Sequence, residues 1–391
     1  VYHLGFGESR FPVHPKILEA FRRHATAREY PPVAGYPALR ATIAAFYERE
    51  FGIVAEPEQV IVGPGSKSLI FAAIQALAGD LLLPRPSWVS YEPHARLAGK
   101  SVTWIDTALE EEYCITASAL RRGFEEARQA GQNPRILVIN TPGNPTGVAY
   151  PRHVLTEVAE VARAHELAVI SDEIYALLSF STIRPHYSIA LDYPESTIVT
   201  GGLSKHLSLG GWRFGLAVLP PGEKGRALLW ALSSVAGHIW SSPAAPVQHA
   251  AIVAYGDDPG IMTYVRTCTA LHESVTRALY EQLQYAAIPC PPPSGGYYLY
   301  PSFDPWRDAL RDRHGVATSD DLASLLLEEF GIATLPGTAF GAPPDDLSLR
   351  LATCYLYTPD DSAMDTILEM FVASSTPTAF VEAHCPALSE V

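Results

Sequence analysis

The sequence predicts an α/β protein with a mostly parallel, seven-stranded sheet between helices in a large domain, and a smaller α+β domain formed by both termini. Seven short apolar runs alternate with helix-like stretches through the middle of the chain. These runs are apolar on both faces, as strands are when helices cover a sheet on both sides. The Pro- and Gly-rich stretch Pro289–Gly296 then separates this region from a final part with a different order of elements.

The runs are Val60–Gly63, Asp80–Leu83, Ser101–Ile105, Arg135–Asn140, Leu167–Ser171, Thr197–Thr200 and Phe214–Leu219. Helical patterns fill the gaps at Ser66–Leu77, Ala117–Ala130 and Arg152–Ala164, as crossover helices would. Beyond the boundary come a strand at Tyr297–Tyr300, a helix at Ser319–Phe330, and strands near Ala333–Leu335 and Leu347–Ala352. The expected division is 1–35 as the N-terminal part of the small domain, 36–288 as the large domain, 289–374 as its C-terminal partner, and 375–391 as a poorly ordered tail.

At 391 residues the chain is long for one core, which supports two domains. The net charge of -14 argues against nonspecific binding to nucleic acid or to an anionic membrane. No apolar run approaches the roughly 18 residues of a membrane helix. The cysteines Cys114, Cys268, Cys290, Cys354 and Cys385 are scattered and form no CxxC pair, so free thiols in a reducing cytoplasm and no metal site are expected. No signal-peptide pattern opens the sequence.

Six segments carry chemistry. In Gly201-Gly202-Leu203-Ser204-Lys205-His206, a lysine follows a strand and two glycines, with Arg213 eight residues on. Such an amine can form a Schiff base, and such an arginine can bind phosphate; the alternative is an incidental loop lysine. Asp172, in Ser171-Asp172-Glu173-Ile174-Tyr175, ends an apolar strand, where α/β sheets bind ligands. It could hold a pyridine nitrogen protonated, or merely cap a helix. Tyr175 could reach a ring hydroxyl. Asn144, in Asn140-Thr141-Pro142-Gly143-Asn144-Pro145-Thr146-Gly147, could present its amide from a tight loop. Gly63-Pro64-Gly65-Ser66-Lys67-Ser68 feeds a helix N-terminus and suits a phosphate, but matches neither nucleotide signature. Trp88 follows a strand and could stack on a planar group or fill the core. Arg350 sits in an apolar strand, where it needs a carboxylate from substrate or from the chain itself.

In this order, over nearly the whole chain, these segments resemble the class I/II aminotransferase family, the aspartate aminotransferase-like, fold type I enzymes of pyridoxal 5'-phosphate (PLP). The resemblance implies that Lys205 forms the Schiff base and then shuttles the proton. It implies that Asp172 pairs with the pyridine nitrogen, that Asn144 and Tyr175 hold the ring oxygen, and that Trp88 stacks on the ring. Gly65, Ser66, Lys67 (through backbone amides), Ser204 and Arg213 would bind the phosphate. Arg350, with Gly7, would meet the substrate carboxylate. Tyr30 would reach the phosphate of a neighbouring subunit in a homodimer with shared active sites. The implied activity moves the α-amino group of an amino acid to a 2-oxo acid through aldimine and ketimine intermediates.

His206, beside the lysine, has no fixed counterpart in the family; it could tune the amine, contact substrate, or more plainly sit behind the site or face outward. Gly237-His238-Ile239-Trp240-Ser241-Ser242-Pro243 lacks the arginine that dicarboxylate-specific members often supply there, which counts against an acidic substrate. His238 and Trp240 instead suggest room for an aromatic or larger polar one. Tyr297-Tyr298 falls where the family's small domain lines the pocket. The same parts would also serve racemisation, elimination or replacement, cyclisation or carbon–carbon bond formation. A ligand-sensing module of a transcription regulator is the reading from another class, and the acidic chain opposes it.

Overall fold

A computed structural model describes residues 1–180, 183–357 and 363–389. A short β1 (Tyr2–His3) precedes the seven strands of the main sheet. These are β2 (Val60–Gly63), β3 (Asp80–Arg85), β4 (Val102–Asp106), β5 (Pro134–Asn140), β6 (Ala168–Asp172), β7 (Thr197–Gly202) and β8 (Gly215–Val218). Their order is β2-β8-β7-β6-β5-β3-β4. All neighbours are parallel except those of β8, which runs against both β7 and β2. The segment between β7 and β8 carries no crossover helix, so the chain turns back at the edge it reached. The mostly parallel sheet expected from the sequence is present, with β8 as its one reversed strand.

The helices among the described residues of this part are α1 (Pro15–Arg23), α2 (Pro37–Phe51), α3 (Ser66–Ala76), α4 (Tyr91–Leu97), α5 (Ala117–Gln129), α6 (Arg152–Ala164), α7 (Gly222–Ile239), α8 (Ala245–Ala254) and α9 (Pro259–Tyr285). Side chains along a strand alternate between faces, and the core divides accordingly. Leu82, Leu137, Ile139 and Val169 pack with Leu120 of α5 and Leu155 of α6. Leu81, Leu83, Ile136, Val138 and Ile170 pack with Ile70 of α3 and Leu232 of α7. Both faces are buried, which is why the strands read as unbroken apolar runs.

The rest comprises β9 (Tyr298–Leu299), α10 (Arg307–His314), α11 (Ser319–Phe330), β10 (Ile332–Ala333), β11 (Leu335–Pro336), β12 (Leu349–Ala352), α12 (Met364–Ala373) and α13 (Pro377–His384). β11, β12 and β9 form a small antiparallel sheet, and β1 pairs parallel with β10. The start of the chain therefore lies against its C-terminal part. The core beneath joins Leu4 and Phe11 to Tyr297, Leu299 and Leu351, and to Cys268, Leu271, Val275 and Leu279 of α9. This packing unit thus begins inside α9, ahead of the Pro-rich stretch. All five cysteines are free and buried, and no described helix is long and apolar enough to cross a membrane.

The expected disordered tail is instead largely helical. Thr376 caps α13 by accepting from the Ala379 N–H at 3.1 Å. Phe380 is fully buried, edge-on to Phe371 at 5.1 Å. One large apolar residue among small and polar ones leaves no periodic signal, so the anchor was invisible in the sequence. Phe380→Ala should destabilise the protein by about 3–5 kcal/mol in urea unfolding; a loss below about 1 kcal/mol would mean that α13 is not docked.

Candidate active site

The topology brings the chemistry-bearing segments to one edge. The carboxyl ends of β2, β3, β5, β6 and β7 lie there, and the reversed β8 brings its amino end to meet them. Asn140 pairs across the sheet with Asp172, and Asp172 with Thr200. Gly63 and Gly202 both pair with Gly215. A cavity of about 450 Å³ opens at this edge. Gly7, Gly65, Ser66, Lys67, Trp88, Asn144, Asp172, Tyr175, Ser204, Lys205, Arg213 and Arg350 all line it. Of the predicted site residues only Tyr30 lies elsewhere; it is 90% exposed.

One end of the cavity suits an anion. Gly65, with φ +87°, turns the chain into α3. A Cβ at Gly65 would stand 2.4 Å from an Arg213 nitrogen, and one on Gly215 would stand 2.1 Å from the Ser66 nitrogen. Only glycines allow β8, Arg213 and the first turn of α3 to come this close. The N–H groups of that turn have no partners within the helix and carry positive potential. Arg213 adds a full positive charge, and no carboxylate among the described residues pairs with it. Two positive features side by side need an anion between them.

Asp172 forms the floor and is 3% exposed. Its carboxylate accepts from the Tyr91 hydroxyl at 2.7 Å and the Thr200 hydroxyl at 3.2 Å. Burial pushes its pKa up to about 6, and these two bonds hold it from rising further. No α-helix follows Asp172 closely, only the single turn Ala176–Leu178, so the capping reading falls away. Trp88 lines the wall, edge-on to Tyr91 at 5.2 Å. The Lys67 ammonium stands 5.1 Å over the indole; Lys67 is exposed and is among the residues at the rim of the cavity.

Lys205 is half-buried, and its amine donates to the Gly7 carbonyl at 2.8 Å. Tyr175 is buried, with its hydroxyl 2.9 Å from that of Tyr298. The Asn144 N–H donates to the Asn140 side chain at 2.7 Å, and Asn140 donates to the Asp172 carbonyl at 2.8 Å. This ladder fixes the Asn144 loop to β6. Arg350 is 5% exposed; it donates to Asn144 Oδ1 at 3.1 Å and to the Gly5 carbonyl at 2.5 Å. Its Nε has no partner. No acidic residue among those described pairs with it, so the internal-carboxylate reading fails.

Sequence reasoning missed Tyr91, Thr200, Asn140 and the cavity-lining Glu8. It also missed the buried Glu173, which accepts from Ser171 at 2.8 Å and Ser188 at 2.5 Å and meets His186 at 2.8 Å. Tyr91 and Asn140 sit inside the quoted segments, and their contacts depend on which strands are neighbours. His206 neither tunes the amine from the cavity nor faces outward. It is buried behind the site beside Tyr255, and burial lowers its pKa to about 3, so it stays neutral. His238 and Trp240 do not line this chain's cavity, so they make no room in it for a larger substrate.

A family model described as aminotransferase class I and II matches residues 1–363. The chain belongs to this family. It is 33% identical over 362 residues to an aspartate aminotransferase of Geobacillus stearothermophilus, covering 90% of this chain and 87% of that one. It is 31% identical over 342 residues to an aspartate/prephenate aminotransferase of Thermus thermophilus, covering 86% and 83%. The solved structure of an aromatic aminotransferase from Pyrococcus horikoshii superimposes with a TM-score of 0.82 at 27% identity, covering 95% of each chain. The protein is a PLP-dependent aminotransferase of fold type I. Its cavity fits the cofactor on its own chemistry: an anion-seeking end at Arg213, a buried carboxylate at Asp172, an indole wall and a primary amine.

Asp172 makes a sign-specific prediction. Its folded pKa lies above the unfolded value near 4. Without cofactor, its charge therefore costs stability above pH 6, on the order of 2–3 kcal/mol, and nothing below pH 4. Cofactor-free Asp172→Asn should melt higher than the native protein at pH 8 and level with it at pH 4. A gap of the same size at both pH values would show that the carboxylate is not strained by burial.

Proposed function

We propose that this cavity exchanges the α-amino group of an acidic amino acid with a 2-oxo acid, using Lys205 as anchor and proton carrier. The observation that carries the reading is Arg350: a buried guanidinium in the cavity with a free Nε and no acidic partner among the described residues. Such a group is costly unless a carboxylate arrives, and a fork of donors suits one. Arg350 would take the α-carboxylate beside Gly7. The Lys67 ammonium would take the second carboxylate, supplying the cation that 237–243 lacks. The names of the aspartate-acting relatives agree with this substrate class.

PLP, when bound, supplies an electron sink next to the substrate Cα. Ser66, Ser204, Arg213 and the backbone amides after Gly65 would hold its phosphate. Asp172 would keep a positive charge on the ring nitrogen, Trp88 would cover one face, and Asn144 and Tyr175 would meet the ring oxygen. Lys205 Nζ, in the cavity, would take the proton from Cα as a general base and hand it back. Tyr30 supports a homodimer in which each copy completes its partner's phosphate site. Trp230 and Ile239 are also exposed, at 76% and 67%, and such a dimer would offer them an apolar partner. The acidic surface and free thiols support a cytoplasmic setting, and the division at 35, 288 and 374 is proposed for the chain with the C-terminal core reaching back into α9 and taking in the helix after 374.

A donor panel tests the substrate class. Aspartate or glutamate should outpace tyrosine and alanine in kcat/KM. Lys67→Met should cost acidic donors about 10- to 100-fold, the scale of one charge-assisted hydrogen bond, and leave tyrosine within a few-fold. A native preference for tyrosine, or an equal loss for all donors, would overturn the assignment.

A further inference from the structure

Tyr298 has no role in the scheme above, yet it touches three parts of the site. Its hydroxyl lies 2.9 Å from that of Tyr175 and 3.5 Å from the Gly7 carbonyl. Its ring lies 4.8 Å from the Arg350 guanidinium, which sits over its face. It is 1% exposed. A Cβ at Gly7 would stand 1.9 Å from its hydroxyl, so the tyrosine reaches this position only because residue 7 is glycine.

The direction of the hydrogen bonds follows from counting lone pairs. A carbonyl oxygen has two. The Lys205 amine at 2.8 Å and the Tyr297 hydroxyl at 3.0 Å occupy those of Gly7. At 3.5 Å, Tyr298 is at the outer limit of a third bond. Its proton is better placed on the Tyr175 oxygen. Tyr175 then has its own proton free for the cavity, and a hydroxyl that accepts one bond donates a stronger one.

We propose that Tyr298 is a positioning residue with two separable actions: its hydroxyl aims the Tyr175 proton at the cofactor's ring oxygen, and its ring face holds Arg350 in place for the substrate carboxylate. The first action rests on the reading that Tyr175 meets that oxygen. The groups facing Tyr175 are Tyr298, Arg350 and Asp172, with Tyr297 edge-on and the Lys205 amine over the ring. Burial raises the Tyr175 pKa, so it remains a donor throughout the working pH range.

The test uses PLP-loaded protein and the pH midpoint of its visible absorbance. A donor to the ring oxygen stabilises negative charge there and eases loss of the neighbouring proton. Weakening that donor should therefore raise the midpoint. Tyr298→Phe should raise it by roughly half a unit, a fraction of one hydrogen bond, and Tyr175→Phe by more. Succinate, which cannot react, reads the second action. Tyr298→Phe keeps the ring and should bind succinate within about twofold of the native protein. Tyr298→Leu should weaken binding roughly 3- to 30-fold, the range of one cation–π contact. A midpoint that moves in Tyr175→Phe but not in Tyr298→Phe overturns the first action and leaves the Tyr175 assignment standing; no movement in either overturns both. Equal succinate binding in the Phe and Leu variants overturns the second. Tyr298→Phe nearly conserves volume, so its midpoint decides even if the Leu variant fails to fold.

Discussion

The site is organised around a buried carboxylate that the protein alone does not neutralise. Asp172 lies at the end of a central strand, 3% exposed, with two hydroxyl donors and, among the described residues, no cation paired with it. A charge in that position is unfavourable until a cationic group arrives. Tyr91 and Thr200 limit the cost without removing it. The energy left unspent in the empty fold is what a positively charged ring would recover on binding.

The other parts depend on where that strand ends. Parallel strands deliver their carboxyl ends to one edge, and the reversed β8 adds Arg213 to the same edge. The glycines at 63, 65, 202 and 215 let backbone approach backbone, so the anion-seeking turn stands beside the strand that carries the lysine. The small domain then closes the site from the opposite side. Gly7, Tyr298 and Arg350 come from its strands and from the N-terminal segment, and the Gly7 carbonyl is bonded directly to the Lys205 amine. Substrate recognition and proton transfer are thereby joined through a single peptide group.

Much of this was legible in the sequence because local chemistry marked it. Buried strands read as unbroken apolar runs, and each functional segment followed one of them. What escaped depended on strand order or on folding at a distance. Tyr91 is an ordinary tyrosine until β3 and β6 are known to lie two strands apart in one sheet. Thr200 continues a strand pattern, and its hydroxyl matters only because Asp172 is its cross-strand neighbour. His206 adjoins the lysine but, in line with the plainer reading, sits behind the site, because successive residues point to different sides of a turn. Its neighbours are Tyr255 and the core. Lys67 was assigned through its backbone alone, since no sequence pattern could show its ammonium lying over Trp88. Phe380 shows the same limit outside the site, where one buried ring orders a segment of unremarkable composition.

The chain has five lysines: Lys16, Lys67, Lys100, Lys205 and Lys224. The central claim is that one of them, Lys205, holds the cofactor. Reducing PLP-loaded protein with borohydride makes the lysine–cofactor bond permanent, and peptide mass spectrometry then locates it. The account predicts a pyridoxyl adduct on the peptide carrying Lys205 and on no other. An adduct on Lys67, or one spread over several lysines, would contradict it.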